Sequence, residues 1–167
     1  MTVKTDNTDP LISINQRLTR LETIDAIKTL KAIYLMACDT KDPALMRGCF
    51  IDDEVVIDYG PVGQFNHREQ LVEIFTEIGC HPHMLESHHG HNPIIELIDD
   101  HHAKGSWELA YQVLNSREKT LTQIAMIYRD EYRCVDSHWK ISASTTQTLS
   151  TLVYDISNKQ PVLVHAA

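Results

Sequence analysis

Ten of the 167 residues are histidine, and five of them crowd into CHPHMLESHHGHNP: His81, His83, His88, His89 and His91. Imidazole moves protons near neutral pH and is also the commonest metal ligand, so this segment admits two chemistries. A metal reading is natural, since imidazole suits zinc, copper, iron and nickel. On an extended strand, however, only alternate residues share a face, so His89 and His91 converge while His88 points the other way with Glu86. No HExxH, no cysteine pair and no histidine pair with a distant Glu and His completes a recognised metal site. The competing reading makes His81, His83, His101 and His102 solvated surface residues, and the expectation is no metal and no cofactor.

His88 has a second reading, as a base. Asp39 closes the apolar run AIYLMACD at the end of a helix, where the helix dipole disfavours negative charge. A carboxylate there gains from a partner, and a histidine on a strand crossing the helix would be one. An aspartate bonded to one imidazole nitrogen fixes the tautomer, raises basicity and leaves the other nitrogen to move a proton. Tyr34, about one and a half turns earlier, would present its hydroxyl to the same cleft. The alternative is that Asp39 merely caps or solvates a helix end and that Tyr34 is core.

These residues need elements to hold them. Between residues 13 and 39, Leu21, Ile24, Ile27, Leu30, Ile33, Tyr34 and Ala37 recur at steps of three and four, which predicts a long helix. Asp42-Pro43 supplies an N-cap and first-turn proline for a short second helix. DEVVIDYG reads as a strand ending at Gly60-Pro61, and HREQLVEIFTEI as a third helix stopped by Gly79. Then the period changes to two. A strand over residues 84 to 98, interrupted at Gly90 and Pro93, calls for a bulge or bend. Three more follow, with Trp107, Leu109 and Tyr111 on one face of the next, Ile124, Met126, Tyr128 and Tyr132 on another, and Trp139, Ile141, Ala143 and Thr145 on the last. Helices followed by strands indicate α+β, with the helices segregated to one face of a curved antiparallel sheet. The expected division is a flexible tail at 1–12, one domain at 13–155 and an extension at 156–167.

Composition removes several functions. Fifteen basic against 23 acidic residues leave a net charge of −8, the wrong sign for nucleic acid or an anionic membrane surface. No apolar run is long enough to span a bilayer, and Cys38, Cys49, Cys80 and Cys134 show no paired spacing, so a cytoplasmic protein with reduced thiols is expected.

The runs AIKTLKAIYLMACDTKD, SHHGHNP, AKGSWEL and DSHWKIS, in that order, resemble the SnoaL-like branch of the nuclear transport factor 2-like superfamily over about residues 18 to 148. Within it the likeness is to the branch of bile acid 7α-dehydratase, scytalone dehydratase and hexachlorocyclohexane dehydrochlorinase. The resemblance implies a cystatin-like cone: a curved antiparallel sheet wrapped by three N-terminal helices around an apolar pocket. It implies that His88 is the catalytic base, Asp39 its partner, and Tyr34 the equivalent of a dehydratase tyrosine. Two positions depart from that pattern, with Tyr111 replacing an acidic residue and Thr148 standing roughly where an arginine is found. Tyr34 and Tyr111 are then the candidates to serve a leaving oxygen, and Tyr59, Trp107, Tyr111, Met126 and Thr148 the candidates to line the substrate site. The implied function is a cofactor-independent lyase or isomerase acting on a small apolar, cyclic substrate. The alternative is a non-catalytic binding or assembly domain of the same fold. A homo-oligomer, dimer or trimer, is expected from the family, through the Ser- and Thr-rich outer face of the last strands.

Overall fold

The protein is described by a computed structural model covering residues 10–158 and 160–166. The tail expected over residues 1–12 falls outside the described residues up to position 9. Helix α1 (Pro10–Thr40) already runs from position 10, three residues before the expected start. Its second half turns Ile27, Leu30, Tyr34, Leu35, Ala37 and Cys38 into the core. Asp42 caps α2 (Pro43–Cys49) by accepting the Leu45 N–H at 2.9 Å, as the Asp-Pro pair predicts. Helix α3 (Arg68–Ile74) opens on a His67 cap, with the Gln70 side chain returning to the His67 N–H, and widens into a π turn over Phe75–Gly79. That turn takes up the last residues of the expected third helix.

Among the described residues, seven strands form one open sheet: β1 (Val56–Asp58), β2 (Gln64–Phe65), β3 (Met84–Leu97), β4 (His102–Asn115), β5 (Thr120–Val135), β6 (His138–Asp155) and β7 (Val162–Ala166). The order is β2-β1-β6-β5-β4-β3, with β7 also on β6. All pairs are antiparallel except β1 with β6, so the sheet is mixed where a purely antiparallel one was expected. The reason is connectivity: β1 is reached through α2 and returns beside the last long strand in the same direction. Strand β7 pairs Val162–Ala166 with residues 152–155 inside the expected C-terminal extension.

Three irregularities bend the long strands. The β3–β4 register shifts between His91 and Ile94, where Asn92 adopts φ 47°, at the predicted bulge. On β6 the pairing steps from Tyr132–Ile141 to Glu131–Ala143, which leaves Ser142 as an extra residue. The inward face therefore passes from Ile141 to Ser144, both fully buried, and Ala143 and Thr145 lose the inward position that strict alternation predicts. A second shift skips Leu149. One-residue insertions flip every following side chain, so a period-two reading fails beyond them. No helix among the described residues is long and apolar enough to cross a membrane.

Candidate active site

Asp39 comes at the last turn of α1 and His88 in the middle of β3, on the strand face that meets the helix. The Asp39 carboxylate accepts the His88 main-chain N–H with both oxygens at 3.1 Å and contacts His88 Nδ1 at 2.6 Å. A carboxylate only accepts, so the Nδ1 proton is donated to it and Nε2 is left as the basic nitrogen. Because the same carboxylate holds backbone and ring, it fixes both the place and the tautomer of the imidazole. His88 keeps 12% of its side chain accessible and Asp39 keeps 30%, so the pair is neither sealed in the core nor loose on the surface. Leu35 of the helix packs closely over Gly90 of the strand, where an added Cβ would lie 2.9 Å from Leu35 Cδ1.

Tyr111 faces His88 across the β3–β4 ladder, its ring centroid 4.5 Å from the imidazole. Its hydroxyl donates to Glu86 at 2.8 Å, and Glu86 is also paired with Lys41 Nζ at 3.1 Å. Lys41, at φ 57° just beyond α1, donates to the Gly79 carbonyl as well and so ties the helix end to the π turn. Burial, then the Glu86 carboxylate, raises the Tyr111 phenol well above its ordinary value, so it stays protonated at any physiological pH.

Tyr34, Tyr59 and Trp107 fall instead into a second, fully buried cluster. Its anchor is Asp130, paired with Lys31 Nζ at 2.8 Å, both side chains all but inaccessible. Asp130 accepts from Ser144 at 2.7 Å and from Tyr132 at 2.9 Å. Since the carboxylate cannot donate, every proton along the chain is directed: Tyr34 donates to Tyr59 at 3.0 Å, and Tyr59 to Ser144 at 3.0 Å. Trp107 Nε1–H donates to Tyr132 at 2.9 Å. The Lys31 ammonium also lies 3.5 Å from the Tyr128 ring centroid. Burial lowers the Lys31 ammonium while Asp130 pulls it back up, and burial raises the Tyr34, Tyr59 and Tyr132 phenols. Cys38 adjoins both clusters, and burial followed by the charge of Glu86 pushes its thiol up to about 12.

Of the residues expected at the site, the structure thus brings His88, Asp39 and Tyr111 together and sets Tyr34, Tyr59 and Trp107 one layer below. Met126 is half-buried against the core, and Thr148 stands opposite it in the β5–β6 ladder, exposed. Periodicity missed Lys31, Asp130 and Lys41, and placed Glu86 on the His88 face without its partners. The first two left a signal: each is a charge on the apolar face of its element, Lys31 among Ile27, Leu30 and Tyr34, Asp130 between Tyr128 and Tyr132. The remaining histidines scatter. His89 and His91 stack on the outer sheet face at 6.3 Å, His81 stacks on His83 at 5.1 Å, and His102 pairs with Asp99 at 2.9 Å. Among the described residues, no three His, Cys, Asp or Glu side chains stand together as a metal site.

A SnoaL-like domain model matches residues 19–145, and the chain belongs to that family. No curated protein matches it in sequence. A candidate scytalone dehydratase from Novosphingobium aromaticivorans superposes with TM-score 0.73 at 20% identity, covering 89% of this chain and 97% of its own. A type 2 hexachlorocyclohexane dehydrochlorinase gives 0.74 at 18%, covering 89% and 95%. A nuclear transport factor 2-like protein with a cystatin-like fold, also from N. aromaticivorans, gives 0.70 at 15%, covering 86% and 92%. At these identities the likeness is one of fold.

Proposed function

We propose that the protein is a cofactor-independent lyase or isomerase of the dehydratase kind, acting on a small, mostly apolar cyclic substrate. The observation that carries this reading is Asp39 holding His88 by ring and backbone at once. An imidazole so held is oriented and polarised for one task, accepting a proton at Nε2. His88 would remove a proton from carbon, and Asp39 would stabilise the imidazolium that results. Tyr111, in contact with the imidazole, would meet the substrate's oxygen. Its proton is engaged with Glu86, so it offers a lone pair to a substrate hydroxyl. Tyr34, Tyr59 and Trp107 would form the floor, with Met126 and Thr148 at the rim.

Dehydration, isomerisation and cyclisation all begin with the same C–H cleavage, so the test reads that step directly. Cyclic ketones and hydroxyketones are incubated with protein in D₂O and followed by NMR. Exchange of an α-proton catalysed by the wild type and lost in His88→Gln, with the fold intact, supports the reading. Equal exchange in both sinks the proposed base.

A second reading has its own observation. Two grooves of about 320 and 540 Å³ lie on the outer face of the sheet, the first lined by His89, Ala110, Gln112, Gln123 and Ser150. A binding or assembly domain, with a homo-oligomer formed through that face, would use them. Ligand or partner binding by a wild type that exchanges no probe would favour it.

A further inference from the structure

From Ser13 to Glu22, every residue of α1 is exposed. At ~100° per residue, Ile14, Leu18 and Leu21 form one stripe, roughly 150° around the helix from the face that its second half buries. Ile14 is 56%, Leu18 51% and Leu21 65% exposed. A rigid helix presenting its opposite face to the core cannot turn this stripe into its own body. The stretch needs no separate nucleation, because the buried half of α1 already fixes the helix and the exposed turns propagate from it.

The spacing of the stripe, four residues and then three, is that of heptad seam positions d, a and d. In this register Arg17 takes position g and Glu22 the following e, five residues on. That is the spacing at which opposite charges on two parallel helices meet across a seam. The next two seam positions are Asp25 and Lys28, both exposed, so the apolar stripe ends where α1 begins to enter the body. Ile14, Arg17 and Leu18 precede residue 19, where the family match begins, and Leu21 and Glu22 lie just inside it.

We propose that the first half of α1 is a self-association helix. Its Ile14–Leu18–Leu21 stripe packs on the same stripe of a second copy, parallel and in register, with Arg17 of each chain facing Glu22 of the other. The charges select both occupant and direction. An antiparallel pair would set the edge carrying Arg17 against itself and the edge carrying Glu22 against itself, whereas the parallel pair satisfies both edges twice.

Sedimentation velocity of the full chain over a dilution series tests this, with circular dichroism to show that each exposed substitution leaves the fold unchanged. Leu18→Asp sets a charge in the seam of both chains and weakens self-association by roughly a hundredfold. Arg17→Glu and Glu22→Arg each weaken it roughly tenfold, by losing two attractions and gaining two repulsions, and the double reversal restores it. Ile14→Cys forms an oxidised dimer above the wild-type background, because equivalent residues oppose one another only in the parallel register. A monomeric wild type overturns the proposal. So does an oligomer indifferent to these substitutions, as assembly through the sheet face would be, or a double reversal no better than the singles.

Discussion

Asp39 joins two elements that are far apart in sequence, and its three contacts to His88 make it more than a helix cap. Replacing it with Asn would leave one acceptor oxygen and an NH2 group that donates to Nδ1, so the imidazole would no longer be held in the tautomer that leaves Nε2 basic. On the proposed mechanism, Asp39→Asn lowers the rate of α-proton exchange by about 10²- to 10⁴-fold, the range of general base catalysis, with far less effect on stability. The same NMR assay checks it. Glu86→Gln should act differently, because Glu86 holds Tyr111 and Lys41 without touching the ring of His88. Its expected mark is poorer use of hydroxylated probes relative to simple ketones, since the Tyr111 oxygen would no longer be held as an acceptor. Equal loss on both probe classes would show that Glu86 serves the base instead. The pairing of His88 with Asp39 was legible from the charge at an unfavourable helix end. Glu86 was visible only as a residue on the same strand face, because its partners Lys41 and Tyr111 come from a loop and another strand.

Elements are locked to one another by the Lys31–Asp130 pair, which joins α1 to β5 at the centre of the core. Removing one member leaves the other charged and buried, which costs about 3–5 kcal/mol. Lys31→Met should therefore lower the free energy of denaturant unfolding by about that amount, whereas Lys31→Met with Asp130→Asn should recover much of it. Additive losses in the double variant would mean that the pair is not coupled. Gly90→Ala tests the other contact between helix and sheet. A Cβ 2.9 Å from Leu35 Cδ1 must displace that methyl, so Leu35 leaves its present rotamer and a loss of about 0.5–1.5 kcal/mol is expected. The order of the helices, β1 and the four long strands, the cap at Asp42 and the bulge near Pro93 were all readable from local pattern, whereas the short β2 and β7 were not. The bulges on β6 were not, because no Gly or Pro marks Ser142 or Leu149, and only the ladder shows which residue is skipped.

For the whole molecule, the buried phenols and thiols set an alkaline limit. Burial holds the Tyr34, Tyr59, Tyr128 and Tyr132 phenols above their ordinary value of 10.0, and raises Cys38 and Cys49 from 9.0 to about 12 and about 11. The unfolded chain then releases these protons first as pH rises, so their contribution to stability is intact below about pH 9 and is lost progressively above it. Lys31 works in the opposite sense below 10.5, but it is one group against six. Denaturant midpoints should fall between about pH 8 and about pH 11, with most of the loss above the ordinary phenol value. A flat profile would mean that the core opens to solvent before these groups titrate.

Local pattern alone determined the α+β class, the order of the helices and long strands and the acidic balance, and it offered His88 and Asp39 as a candidate pair, because each is written in spacing or in charge along a single element. Tertiary structure decided the rest. It paired β1 parallel to β6, set Tyr111 rather than Tyr34 against the imidazole, and gathered Lys31, Asp130, Ser144 and three tyrosines into one directed network. Those outcomes depend on which elements meet and in what register, and a one-residue bulge, silent in composition, is enough to exchange the face that enters the core for the face that leaves it.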